Sequence, residues 1–208
     1  MLIFNQQNAD ISVLVWEITE SENTLVQLLQ NFDYYVCQFT ELKNATRKLE
    51  FLASRVALQH LFGKPIEVTY LPTGKPQLAN ENGYISITHT KGYVAIAHHP
   101  TCEVGIDIEL PTERFKKLYT RFLNPQEQEL LFDPTDLSHV LLAWSAKEAL
   151  YKIIGSQAVD FANQLAIECI HEAESHIVAL HLPTTQKFLL HYRLTKAYAL
   201  VYVADIKS

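Results

Sequence analysis

The sequence predicts an α+β fold built from two similar halves in one chain. Three observations carry this expectation: a helical rhythm followed by short strands in the first half, the same order again in the second half, and no Pro/Gly/Ser-rich linker between them. The halves are placed at residues 1–102 and 103–208.

The first element, "ISVLVWEI" at residues 11–18, is β-branched and apolar, as a buried strand should be. Residues 40–62 carry Leu49, Leu52, Ala53, Val56, Ala57 and Leu61 at a 3.6-residue rhythm, and Gly63 with Pro65 beyond it stops that helix. Short strands follow at "IEVTYL", "YISIT" and "YVAIA", separated by the turn sequences "PTGKP" and "ENG". "EVGIDIEL" is the next strand.

After it, "PTERFKKLYTRFL" predicts an amphipathic helix with Phe115, Leu118 and Phe122 on one face and Arg114, Lys117 and Arg121 as a basic stripe on another. Asn124 and Pro125 form a helix start, as N-cap and first helical residue. A longer helix spans roughly residues 136–154 and ends at Gly155. Four strands close the chain at "QLAIECI", "HIVALHL", "KFLLHYRL" and "YALVYVA".

The 208 residues are 48% hydrophobic and 19% charged, which is enough apolar material for a real core. A formal net charge of −6 argues against a surface made for non-specific nucleic-acid binding. Cys37, Cys102 and Cys169 offer neither a disulfide framework nor zinc-ligand spacing, so a reducing cytoplasm is the expected compartment. No stretch reaches the roughly 18 apolar residues of a membrane span. The N-terminus lacks a basic start and a small-residue cleavage site, so the expectation is a soluble, unexported protein without membrane partners.

Two segments carry candidate chemistry. In "VGIDIEL", alternation predicts that Val104, Ile106, Ile108 and Leu110 take the core face while Gly105, Asp107 and Glu109 share the other. Adjacent carboxylates repel, and a hard divalent cation such as Mg²⁺ is a natural neutraliser. Gly105 clears room for a ligand or another backbone to approach. In "WSAKEALYK", Trp144, Glu148 and Lys152 lie at i, i+4 and i+8 on one helix face.

Taken separately, these are a strand with an acidic solvent face and a helix with one weak Glu-to-Lys pair. If the segments meet, Glu148 becomes a third carboxylate for a cation and Lys152 reaches a phosphate bound to it. Lys75 in the "TGKP" turn, and His89 between Thr88 and Thr90, are further candidate phosphate contacts.

These residues together resemble the 4'-phosphopantetheinyl transferase superfamily. Its hallmark is a Gly-x-Asp strand followed about forty residues later by Trp/Phe-Ser-x-Lys-Glu-(Ser/Ala)-x-x-Lys, which here reads "VGIDIE" and "WSAKEALYK". Gly74-Lys75-Pro76 and Thr88-His89-Thr90 resemble upstream motifs of the long, surfactin-synthetase-activating type, with threonines in place of the family's serines.

The resemblance implies a Mg²⁺-dependent enzyme that transfers the phosphopantetheine arm of coenzyme A to a serine of an acyl, peptidyl or aryl carrier protein, releasing 3',5'-ADP. Asp107, Glu109 and Glu148 would hold the metal, with Mn²⁺ as the other candidate ion, and Glu148 would be the base. Lys152, Lys75, Thr88 and His89 would contact coenzyme A, and Arg55 would match the 3'-phosphate contact, with Arg47 and Lys48 as competitors.

The long type implies two α+β halves forming a pseudodimer that acts as a monomer, with the coenzyme A cleft between them and the metal carboxylates in the C-terminal half. The stripe of Arg114, Lys117 and Arg121, with Lys116 nearby, is a candidate docking surface for acidic carrier proteins. A non-catalytic module that only binds coenzyme A or a carrier protein is the alternative reading, and a Mg²⁺-dependent phosphoesterase a third.

Overall fold

The structure, a computed structural model, describes residues 1–7, 11–79, 81–155 and 159–207. The chain divides into two compact units, Met1–Val104 and Gly105–Ser208.

In the first unit, β1 (Leu2–Gln7) and β2 (Ser12–Glu17) are followed by α1 (Glu22–Leu28), α2 (Val36–Glu41), α3 (Ala45–Phe62), β3 (Val68–Tyr70), β4 (Pro76–Leu78), β5 (Tyr84–Thr90) and β6 (Tyr93–His99). An antiparallel sheet runs in the order β1-β2-β6-β5, and β3 and β4 form a separate hairpin. Strand β1, half polar in sequence, was not among the sequence-based expectations; it forms an edge by pairing with β2.

The helix expected over residues 40–62 is divided. Asn44 takes an extended backbone and its side chain accepts the Arg47 N–H, so it starts α3 afresh rather than continuing α2. The apolar stripe of α3 then joins Leu14, Val94 and Ile96 in one core.

The second unit contains β7 (Ile106–Glu109), α4 (Phe115–Leu118), α5 (Pro125–Leu131), α6 (Ser138–Ile154), α7 (Phe161–Gln164), β8 (Leu165–His171), β9 (His176–His181), β10 (Gln186–Leu194) and β11 (Ala199–Lys207). Its antiparallel sheet has the order β7-β11-β10-β9-β8, with α6 packed on it. The expected amphipathic helix after β7 is only the four residues of α4 and a 3-10 turn at Tyr119–Arg121. Phe115 and Phe122 still bury, so the apolar positions are met without a regular helix. Helix α5 begins with a complete capping box between Asn124 and Glu127.

The faces of β7 differ from the expectation. Glu109 pairs with Ala199 and Asp107 with Val201, and paired residues share a face. Ala199 and Val201 belong to the core with Ala143, Ala146 and Ala149 of α6. The two carboxylates therefore lie under the helix rather than on a solvent face, and Asp107 is only 6% exposed.

Gly105 serves backbone approach. A Cβ added there would stand 2.0 Å from the Ala149 carbonyl oxygen, while its own carbonyl accepts the Val203 N–H at 2.9 Å. Gly105→Ala should thus push α6 from the sheet and cost about 1–3 kcal/mol or more in urea unfolding. Unchanged stability would show that this approach is not needed.

Candidate active site

Helix α6 is regular from Ser138 to the left-handed cap at Gly155, so Trp144, Glu148 and Lys152 keep the common face that their spacing dictates. That face lies over β7. The Trp144 indole Nε1 donates to Glu109 Oε1 at 3.0 Å. Lys152 Nζ donates to the Ile106 carbonyl at 2.6 Å and to Asp107 Oδ1 at 3.1 Å. The two motifs, about forty residues apart in sequence, are thereby joined within one unit.

The carboxylates are electrostatically crowded. Burial, and next the charge of Asp107, push Glu148 up from 4.5 to about 7; Glu109 adds to the rise, and Lys152 and Arg114 oppose it. Glu109 is also raised, first by burial and then by Asp107, against the pull of Arg114 and the Trp144 N–H. Arg114 Nη2 donates to Glu109 Oε1 at 2.6 Å. This arginine, a member of the basic stripe, stays half exposed while pairing with the carboxylate. Lys116 pairs with Glu113 at 2.7 Å, while Lys117 and Arg121 remain exposed.

Asp107, Glu109 and Glu148 carry the oxygen donors that a hard divalent cation takes, and two of them are raised, first by burial and then by the neighbouring carboxylate charge. Among the described residues, no group of three or more His, Cys, Asp or Glu stands in ligating arrangement. Lys152 pairs with Asp107 and Arg114 with Glu109.

Lys147, on the adjacent side of α6, has a different environment. It is fully buried and donates to Glu127 Oε2 at 2.7 Å, to the Phe122 carbonyl at 2.8 Å and to the Phe161 carbonyl at 2.9 Å, so all three ammonium protons are used. Burial pushes its pKa down and Glu127 opposes this. Glu127 also accepts from the N–H groups of Asn124 at 2.8 Å and Ile167 at 2.7 Å. Sequence reasoning did not single out Glu127; its only signal was the capping position three residues after Asn124.

In the first unit, Lys75 follows Gly74, whose φ of 84° makes the turn, and forms an ion pair with Glu103 at 2.5 Å. Thr88 is buried and His89 exposed on β5. Arg47 Nη1 lies 2.7 Å from His89 Nε2 and 3.0 Å from Glu50 Oε2. The same Arg47 nitrogen lies 3.3 Å from His89 Nδ1.

Arg55 is enclosed at 1% exposure, 4.3 Å from the Phe51 ring, with its terminal nitrogens on Ser54, Gln38 and Tyr70. Arg47, the competitor, is exposed and beside His89. Lys48, the other competitor, lies over the Phe39 ring.

Residues 103–203 match the sequence model of the family described as ACPS, the 4'-phosphopantetheinyl transferase superfamily. A Synechocystis sp. protein named as a "putative 4'-phosphopantetheinyl transferase" is 31% identical, over 57% of this chain and 54% of its own length. The chain is thus similar to about half of that relative. No helix among the described residues is long and apolar enough to cross a membrane.

Proposed function

We propose that this chain transfers the 4'-phosphopantetheine moiety of coenzyme A to a serine of an apo carrier protein. The observation that carries the reading is Glu148: a carboxyl raised to about 7, beside two further carboxylates and one helical turn from Lys152. A base poised near neutrality can take a hydroxyl proton and release it again. The family match over residues 103–203 supports the same reaction.

In this reading the serine oxygen forms a new bond to the phosphorus that bears the pantetheine arm. The P–O bond to the nucleotide side breaks, 3',5'-ADP leaves, and the serine proton passes to Glu148. Lys152 balances negative charge on the pyrophosphate. Asp107, Glu109 and Glu148 would hold Mg²⁺, which when bound neutralises the pyrophosphate oxygens. Lys75, Thr88 and His89 would contact coenzyme A phosphates, and Arg55 the 3'-phosphate, with Arg47 and Lys48 as its competitors.

The chain is further read as a monomeric member of the long type. Its three unpaired cysteines favour a reducing, cytoplasmic setting.

The test is incubation with coenzyme A, Mg²⁺ and a panel of apo acyl, peptidyl and aryl carrier proteins, followed by mass spectrometry of each carrier. At least one carrier should gain the phosphopantetheine mass, and Asp107→Ala should slow this by at least about 100-fold. If no carrier is modified and coenzyme A does not bind, the reading fails. Coenzyme A binding without transfer to any carrier would favour the non-catalytic module.

A further inference from the structure

We infer that Trp144 and Lys147 are positioning residues for the Glu109 carboxylate, acting through an aromatic box that the Lys147 ammonium holds shut. The inference rests on the reading above insofar as Glu109 is a working ligand.

The chain of contacts is continuous. Lys147 Nζ holds the carbonyls of Phe122 and Phe161 at 2.8 and 2.9 Å. Neither residue lies inside a long helix: Phe122 follows a 3-10 turn and Phe161 opens the four-residue α7. The buried ammonium gives both carbonyls a donor from outside their own elements. The rings of the two residues pack on the Trp144 indole, with centroids 5.0 and 5.8 Å away, and Phe115 adds a third at 6.2 Å. The indole, fixed on these sides, directs Nε1–H to Glu109 Oε1 at 3.0 Å.

Arg114 donates to the same oxygen. Both donors therefore take Oε1, and among the described residues no hydrogen bond occupies Oε2. A carboxylate held by one oxygen keeps the other for a ligand in a fixed direction. Partners that orient a metal-ligating carboxylate commonly account for 10–100-fold in metal affinity.

Two measurements test this. The first needs neither metal nor substrate: hydrogen exchange of the indole N–H followed by nitrogen-15 NMR, with the two tryptophan signals assigned by Trp144→Phe. Lys147→Met should speed exchange of the Trp144 N–H at least about tenfold beyond any change at the backbone amides of α6 and β10, and leave that of Trp16 unchanged. Equal exchange in wild type and variant would overturn the clamp. Should Lys147→Met not fold, the charge-free pair Lys147→Met/Glu127→Gln replaces it, with the same expectation.

The second is Mn²⁺ binding by electron paramagnetic resonance in the presence of coenzyme A. Trp144→Phe keeps the ring in the box but removes the N–H, and should weaken Mn²⁺ about tenfold while metal-free coenzyme A affinity is unchanged. Wild-type affinity in Trp144→Phe would overturn the positioning of Glu109. A wild-type protein that binds coenzyme A but no Mn²⁺ would instead sink the reading of the carboxylates as metal ligands, and the exchange measurement would decide the clamp alone.

Discussion

Glu148→Gln is expected to have opposite effects on activity and stability. Glutamine cannot accept the serine proton, so transfer to a carrier protein should fall by about 10²–10⁴-fold. The same change should stabilise the metal-free protein at neutral and alkaline pH. Burial and the neighbouring Asp107 hold Glu148 near 7, against an ordinary value of 4.5.

The folded state therefore binds this proton more tightly than the unfolded chain does. The associated stability is complete below about pH 4.5, declines between pH 4.5 and 7, and is gone above the folded value. A rise of that size corresponds to at most about 3 kcal/mol. Partial solvent access lowers the figure, so a gain of about 1–3 kcal/mol is expected at pH 8 and little at pH 4.5. Thermal or urea unfolding of wild type and Glu148→Gln across that range measures it. A variant no more stable at pH 8 than wild type would show that the carboxylate is not under strain.

Lys147→Met should be the most destabilising change at a charged residue in the second unit. The ammonium is fully buried and Glu127, its ion-pair partner, is 3% exposed, so methionine would fill the space but leave a buried carboxylate without its counter-charge. Breaking such a pair from one side costs about 3–5 kcal/mol, a large part of the stability of a small domain.

The two carbonyls that Lys147 holds would also lose their donor. Glu127→Gln in the same chain removes the stranded charge, so the double variant should unfold at higher urea than Lys147→Met alone. A single variant that loses less than about 1 kcal/mol would mean that water replaces the ammonium, and the buried-clamp account would be wrong.

The carboxylate-bearing strand shows how far the sequence could be read. Its alternation separated Ile106 and Ile108 from Asp107 and Glu109 correctly, because side chains on a strand must alternate. It did not say which face a helix would cover. Helix α6 covers the acidic face, and this is why two of the carboxylates there are pushed upward.

Gly105 was open between a ligand and a backbone as its neighbour, and the packed helix decides for the Ala149 carbonyl. The basic stripe after β7 was legible as a pattern of charges. Its member Arg114, at the start of the four-residue α4, also pairs with Glu109, a contact that the pattern could not show.

By itself, the sequence determined two successive helix-plus-sheet halves and the common face of Trp144, Glu148 and Lys152. These follow from local periodicity and capping, which depend on residues within a few positions of one another. Only the tertiary structure decided that Lys147 meets Glu127 twenty residues away, that Trp144 holds Glu109, and that Arg47 rather than Arg55 stands beside His89. Such contacts join separate elements. Periodicity fixes a side chain's direction relative to its own helix or strand, whereas its partner is chosen by how the elements pack.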